Sequence, residues 1–347
     1  MDQGGLIRAL DRSGLGGAVI GSGDDGYERL RRVWNGVFDR RPAAIVRPVS
    51  VPDVQRVIAV AGEAGSLLAV RCGGHSFPGF STCDGGIVLD LSPMDRVVID
   101  PVAGTAEVGG GALLGDLDRA ASPYGLVMPA GVVSHTGAAG LTLGGGMGWL
   151  SRRLGLTIDS LLAAEVCLAD GHVVRVSEAE EPELFWGLRG GGGNFGVVTR
   201  FEFRLHELGP VLVGSWIYPA AQAGGVLARY AAAATRASRQ LSTAFTATAD
   251  GIRVTAMWSG EPVWDDPADD TRCLTWGRGT AAQLSALSMS GNYVNEQSDT
   301  GGDVTLNAYG TQKYARLAAL KAHYDPENLF RLNQNLTPTP RQDAART

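Results

Sequence analysis

The chain is poor in cysteine: Cys72, Cys83, Cys167 and Cys273 are the only four in 347 residues. Their spacing matches neither a metal site nor a disulfide framework, so reduced thiols in a cytoplasmic protein are the expectation. Positive charge is also short, with 30 Lys and Arg against 36 Asp and Glu and a formal net charge of −6. No basic stripe interrupts that balance, so the electrostatic footprint of a nucleic-acid binder is missing. No apolar run approaches the roughly 20 residues of a membrane-spanning helix. The opening Met1-Asp-Gln-Gly-Gly has no signal-peptide core, and Arg31-Arg32 leads into Val-Trp-Asn-Gly rather than an apolar segment. A cytoplasmic protein with neither membrane nor nucleic-acid partner is therefore expected. The acidic run Asp265-Asp-Pro-Ala-Asp-Asp270 lacks the spaced glutamate of a calcium loop, so no metal is expected.

Glycine is abundant instead. Its 49 residues are roughly twice the average usage of about 7%, and they fall without period. That excludes collagen-like and linker chains and suits a backbone folded closely around a large ligand.

The periodicity alternates between strand and helix. Residues 43–48 read as a strand, and Ser50-Val-Pro-Asp53 as a helix start for an apolar-periodic stretch through Ala64. Leu67-Leu-Ala-Val70 reads as the next strand, which completes a β-α-β unit. Strands are expected at 86–91, 97–100, 104–108, 164–168, 172–176 and 197–203, with helices at 113–121 and 183–188. After Gly209 the character changes to an alanine-rich helix over 220–239 and strands over 241–248 and 252–258. A last helix begins near Tyr309 and ends at Tyr324-Asp-Pro-Glu-Asn-Leu-Phe330. This order predicts a cofactor domain interrupted by a substrate domain, with the C-terminus returning to the first.

Three glycine clusters carry the chemistry. The first is Arg71-Cys-Gly-Gly-His-Ser-Phe-Pro-Gly79, where a strand ends on two glycines and presents a histidine. Gly73 and Gly74 let the backbone curl with its N–H groups outward, the geometry of a phosphate cradle. The second is Gly137-Ala-Ala-Gly-Leu-Thr-Leu-Gly-Gly-Gly-Met-Gly148, and the third Arg189-Gly-Gly-Gly-Gly-Asn-Phe-Gly196. The third contains a formal G-x-G-x-x-G, but a helix precedes it and a strand follows, the reverse of the nicotinamide-binding order.

Taken in order, and with the C-terminal run from Tyr309 to Asn335, these clusters resemble the FAD-linked oxidases of the vanillyl-alcohol-oxidase superfamily. The berberine-bridge-enzyme-like branch, which includes oligosaccharide oxidases, matches best. The resemblance implies an α+β fold: a PCMH-type FAD-binding domain of two α/β subdomains over 41–208, preceded by an N-terminal segment over 1–40. A smaller α/β substrate domain with an antiparallel sheet would occupy 209–304, and residues 305–347 would return to the FAD-binding domain. Trp258-Ser-Gly-Glu-Pro262 and Val263-Trp-Asp-Asp-Pro resemble segments that lie far apart in that branch, so the substrate domain looks shortened.

The site residues follow from the same resemblance. Arg71, Cys72, Gly73, Gly74, Ser76 and Gly79 would wrap the FAD pyrophosphate, and His75 would bond covalently to the flavin 8α-methyl. Thr136, Gly137, Gly140, Gly145 and Gly148 would line the diphosphate and ribityl chain. Val197 and Val198 would meet the adenine through backbone bonds, with Asn333 and Asn335 near the isoalloxazine. Some members of the branch carry a second tether, a cysteine eleven residues before the triple glycine; Val133 stands there in this chain, so a single tether is expected. The segment Tyr293-Val-Asn295 matches the family's tyrosine over the flavin, which assigns Tyr293 and Asn295 to catalysis. A free tyrosine titrates near 10, so that role needs a stabilised phenolate or a concerted proton transfer. His135, just before the second cluster, is read as a structural hydrogen-bonding residue, with contact to flavin or substrate as the other reading.

The implied activity is an FAD-dependent oxidoreductase, an oxidase that moves hydride from an alcohol or sugar hydroxyl carbon to flavin N5 and then electrons to dioxygen. Two other readings stand beside it: a flavin-binding protein with little turnover, and a flavin dehydrogenase that uses another acceptor.

Overall fold

The structure is a computed structural model, and it describes residues 2–248, 251–260 and 302–339. The chain forms two compact units. The described residues of the first are 2–146, 156–205 and 302–339, and those of the second are 147–155, 206–248 and 251–260.

The first unit contains two sheets. In the smaller, the strands run in the order Ala18–Gly21, Ala44–Arg47, Ile87–Asp90, Leu68–Arg71. The last three are parallel, and Ala18–Gly21 pairs antiparallel along Ala44–Arg47. Ile87, Val88 and Leu89 have no exposed surface, the near-continuous burial of a parallel strand covered on both faces. The covering helix Val51–Ala64 is capped by Ser50, whose hydroxyl accepts from the Asp53 N–H, and it ends at Gly65. Its buried face, Val54, Val57, Ile58 and Ala61, follows the helical repeat. Residues 1–40, set apart as a segment in the sequence, contribute the helix Gln3–Arg12 and the strand Ala18–Gly21 to this layer, with Leu6 and Leu10 in the core.

The larger sheet is antiparallel, in the order Val97–Asp100, Thr105–Gly109, Val197–Arg204, Leu161–Cys167, Val173–Ser177. Its central strand points Phe201 and Phe203 into the core and Arg200 and Arg204 out. That alternation fits a sheet with one buried face. Helices Leu114–Ala121, Ala138–Leu143, Pro182–Leu188 and Thr311–Tyr324 pack Leu117, Leu143, Leu184 and Leu317 against it. The described C-terminal residues 302–339 cluster with the first unit. Among them a helix Gly302–Tyr309, unforeseen in the sequence, precedes Thr311–Tyr324.

The second unit holds a three-stranded antiparallel sheet, Leu212–Tyr218, Gly251–Trp258, Leu241–Thr248 in that order. The helix Ala223–Ala234 is shorter than the expected 220–239. Residues 147–155, expected within the FAD-binding domain, belong here. Arg152 donates to the Ala237 carbonyl at 2.9 Å and Arg153 to that of Ser259. The fold class is α+β, with one mixed sheet beside antiparallel ones, as the resemblance implied for the class.

Candidate functional site

The strand Leu68–Arg71 delivers the first glycine cluster. Its last residue, Arg71, is buried, and its guanidinium donates to Asp90 at 2.7 Å and to the Leu30 carbonyl. The parallel register places Arg71 opposite Asp90, so this ion pair anchors the root of the loop. The side chain expected at the pyrophosphate is thus committed elsewhere, and Arg71 offers the loop its backbone and its rigidity. The Cys72 thiol donates to the Ala112 carbonyl at 3.2 Å, and burial pushes its pKa up to about 12. It is an inert buried thiol.

The loop meets the second cluster backbone to backbone. A Cβ on Gly73 would lie 2.3 Å from the Gly137 nitrogen, and one on Gly137 would lie 2.4 Å from the Gly73 nitrogen and 2.6 Å from the Cys72 sulfur. No side chain fits on either, which is the physical reason for both glycines. Beyond this contact the chain curls through Gly74, at φ +70°. Among the described residues, no protein acceptor takes the N–H groups of Gly74, His75 or Ser76. Three consecutive donors without a protein acceptor, on a curled backbone, suit an anion. The turn closes behind them: the Ser76 carbonyl accepts from Gly79 N–H and the Ser76 hydroxyl from Phe80 N–H. A Cβ on Gly79 would overlap the Phe38 ring at 2.5 Å.

His75 stands at the tip of the cradle. Its ring stacks on Trp34, with centroids 5.2 Å apart and planes 20° apart. Its Nε2 lies 2.5 Å from His135 Nδ1, so one nitrogen donates and the other accepts. Desolvation, and then the neighbouring His135, hold the His75 pKa below the ordinary imidazole value. At neutral pH the ring is therefore uncharged and keeps a lone pair available for bond formation.

The remaining candidates divide. Val133 is exposed and Thr136 half-buried, and their turn is fixed by Thr136 N–H donating to the Val133 carbonyl at 3.0 Å. Gly137 opens the helix Ala138–Leu143, on which Gly140 is exposed with open space at its Cβ position. Gly145 follows at φ +119° and bonds back to Thr142. Gly148 lies in the second unit, donating to the Ser151 hydroxyl. Val197 and Val198 are buried and pair with Cys167 and Val166, while pairing toward Thr105–Gly109 starts only at Arg200. Asn333 donates to the Phe330 carbonyl, but its Oδ1 and that of Asn335 are buried without a partner. Tyr293 and Asn295 lie outside the described residues.

The C-terminal segment is held against the third cluster. Asn194 donates to the Gly191 and Gln334 carbonyls and accepts from Leu336 N–H. Lys321, with no exposed surface, donates to the Asn194 and Phe330 carbonyls and to Asp325. Nothing in the sequence singled out Lys321, Asn194, Asp90 or Trp34, since long-range pairing rather than spacing gives each its role.

Comparison with known proteins decides the family. Residues 42–177 match the FAD binding domain family, and residues 292–337 match the family described as berberine and berberine like. The chain belongs to the berberine-bridge-enzyme-like FAD-linked oxidoreductases. Among relatives of this family, it is 38% identical over 248 residues to an FAD-linked oxidoreductase of Dictyostelium discoideum, covering 70% of this chain and 54% of that protein. It is 41% identical over 201 residues to (R)-6-hydroxynicotine oxidase of Paenarthrobacter nicotinovorans, covering 58% of this chain and 44% of the relative. The crystal structure of 6-hydroxy-D-nicotine oxidase from Arthrobacter nicotinovorans superposes with a TM-score of 0.79 at 26% identity, covering 94% of this chain and 99% of that one. By sequence, the chain spans about half the length of these curated relatives.

The residues present fit a flavin dinucleotide. The free N–H groups of the cradle suit a pyrophosphate, the facing glycines allow close backbone approach, and the unpartnered Oδ1 atoms of Asn333 and Asn335 leave acceptors for the N–H-bearing edge of a flavin. Among the described residues, no group of three metal-ligating side chains comes together, and no helix is long and apolar enough to cross a membrane.

Proposed function

We propose that this oxidoreductase is an oxidase that holds FAD covalently through His75 alone and takes hydride from an alcohol or sugar hydroxyl carbon of a small molecule, with dioxygen as the final acceptor. Bound FAD supplies the two-electron acceptor, and the protein binds, orients and tethers it. The observation that carries the reading is the meeting of Gly73 and Gly137. It closes two glycine clusters into one cradle and leaves a neutral histidine at its tip.

The single tether follows from Val133, whose side chain has no nucleophile. The pyrophosphate is assigned to the backbone of residues 72–76, the ribityl side to Thr136, Gly137, Gly140, Gly145 and Gly148, and the adenine to Val197 and Val198. Tyr293, with Asn295 beside it, is assigned the hydroxyl proton that leaves as hydride departs. The name of the 6-hydroxynicotine relative adds hydroxylated nitrogen heterocycles to the substrates worth testing.

Protein purified from riboflavin-replete cells tests the reading. Yellow colour retained through acid precipitation, lost in His75→Ala, supports the tether. Peroxide release with a member of a sugar, alcohol and hydroxypyridine panel supports the oxidase. A second reading, flavin binding with little turnover, draws on the fact that the chain spans half of its relatives. Bound flavin that no substrate bleaches anaerobically would favour it, and bleaching without peroxide in air would favour a dehydrogenase.

A further inference from the structure

We infer that His135 is a positioning residue for attachment of the flavin: it accepts a hydrogen bond from the Nε2–H of His75 and so directs the Nδ1 lone pair of His75 toward the 8α carbon. The inference rests on the covalent tether proposed above. Three observations carry it. First, His75 Nε2 faces His135 Nδ1 at 2.5 Å, so the pair can share a single proton between them. Second, the ring of His75 is held from another side by Trp34, whose backbone N–H donates to the Gly74 carbonyl at 3.1 Å. Ring rotation that would exchange Nε2 and Nδ1 has to break both contacts. Third, His135 comes from a fixed stretch of backbone. Gly115 N–H donates to the Ser134 carbonyl at 2.8 Å, Leu114 N–H to that of Thr136 at 3.0 Å, and the His135 carbonyl packs against Gly73.

A neutral imidazole carries one proton, and its other nitrogen is the nucleophile. With the proton on Nε2 and donated to His135, Nδ1 is the free nitrogen. Formation of the Nδ1–C8α bond makes the imidazole cationic, and its Nε2 proton, held in the hydrogen bond to His135, is then released to solvent, which restores neutrality. The 8α carbon loses one proton to solvent, and the electron pair of that C–H bond stays in the ring system as its two-electron reduced form. Dioxygen takes the pair together with two protons from solvent, matching the two released from the 8α carbon and from His75 Nε2, and leaves as hydrogen peroxide, so atoms and electrons balance. The depressed pKa of His75 agrees with this arrangement, because two cationic imidazoles cannot face each other at this distance.

The test uses full-length apo-protein mixed with FAD in air, followed by acid-stable flavin fluorescence in the denatured protein. Non-covalent FAD affinity is measured separately by quenching of free-flavin fluorescence. His135→Leu keeps side-chain bulk without an acceptor and is expected to slow attachment on the order of 100-fold, within the range a positioned proton acceptor supplies. Its FAD affinity is expected within about twofold of wild type. His135→Asn places an amide oxygen near the Nδ1 position and is expected to recover most of the rate, a rescue that a purely structural role would not produce. Attachment at the wild-type rate in His135→Leu overturns the inference, as does equal slowing in the Leu and Asn variants. Wild-type protein that binds FAD and yields no acid-stable flavin contradicts the tether itself, a failure distinct from either.

Discussion

At residues 71–79 polar groups are left open, whereas at residues 321–336 they are closed. In the first stretch three consecutive backbone N–H groups find no protein acceptor among the described residues, and the imidazole at the tip is half-buried beside an exposed partner. In the second, Lys321 has no exposed surface and donates to two carbonyls and to Asp325, which in turn accepts from the N–H groups of Leu329 and Phe330. Burial pulls the Lys321 ammonium below the ordinary lysine value, while Asp325 beside it works in the opposite direction. A buried charge costs heavily unless it is paired and hydrogen-bonded, so the closed network has little freedom to do chemistry. The open loop has that freedom, and the anchors that hold it lie beneath it, in Arg71 with Asp90 and in the facing glycines. The tail fixes the architecture, and the loop is the part proposed to meet the ligand.

Breaking the closed side should have the largest effect on stability. Lys321→Met leaves Asp325 buried without its cation and is expected to cost about 3–5 kcal/mol in denaturant unfolding. A cost under about 1 kcal/mol would show that the network is dispensable. Next comes the contact between clusters. Gly137→Ala puts a methyl into the Gly73 nitrogen and the Cys72 sulfur, and is expected to cost about 1–3 kcal/mol and to abolish flavin retention. A neutral substitution with retained flavin would mean that the two clusters do not form one cradle. Gly140→Ala is the matched control on the open side. Its new methyl meets nothing within 4 Å on a helix, so apo-protein stability should rise by about 0.5–1 kcal/mol. A loss there would contradict the open space at that position.

The smallest effect concerns pH. The folded-state pKa of His75 lies below its unfolded value, so the unfolded chain takes up the proton first. Its contribution is constant above the unfolded value of about 6.5, and native stability falls as pH drops below it toward the folded pKa. The decline should be shallower in His135→Asn, which removes the second imidazole. Urea melts at neutral and mildly acidic pH would show it, and identical slopes for the two proteins would rule out the coupling.

The sequence carried much of the first unit because its signals are local. A capped helix at Ser50, an apolar run ending on Gly73-Gly74-His75, and alternation along Val197–Phe203 all declare themselves within a few residues. The helix Gln3–Arg12 was not legible, since only Leu6 and Leu10 are buried along it and two glycines stand in its first turn. The site was legible as three clusters but not as a circuit. Arg71 read as a ligand because of its place in the loop, and only the parallel register reveals Asp90 as its partner. His135 read as structural because sixty residues of sequence separate it from His75, and only the Gly73–Gly137 contact brings the two rings together. Trp34, in a loop without periodicity, gave no signal before its ring was found against His75.

The central claim is that the open loop ends in a covalent hook. Its most direct measurement is the visible absorbance of acid-precipitated, washed protein, wild type beside His75→Ala, each first shown by native spectra to have bound flavin. The account predicts flavin in the wild-type pellet and none in that of the variant. Flavin released from both pellets, or retained in both, would contradict it.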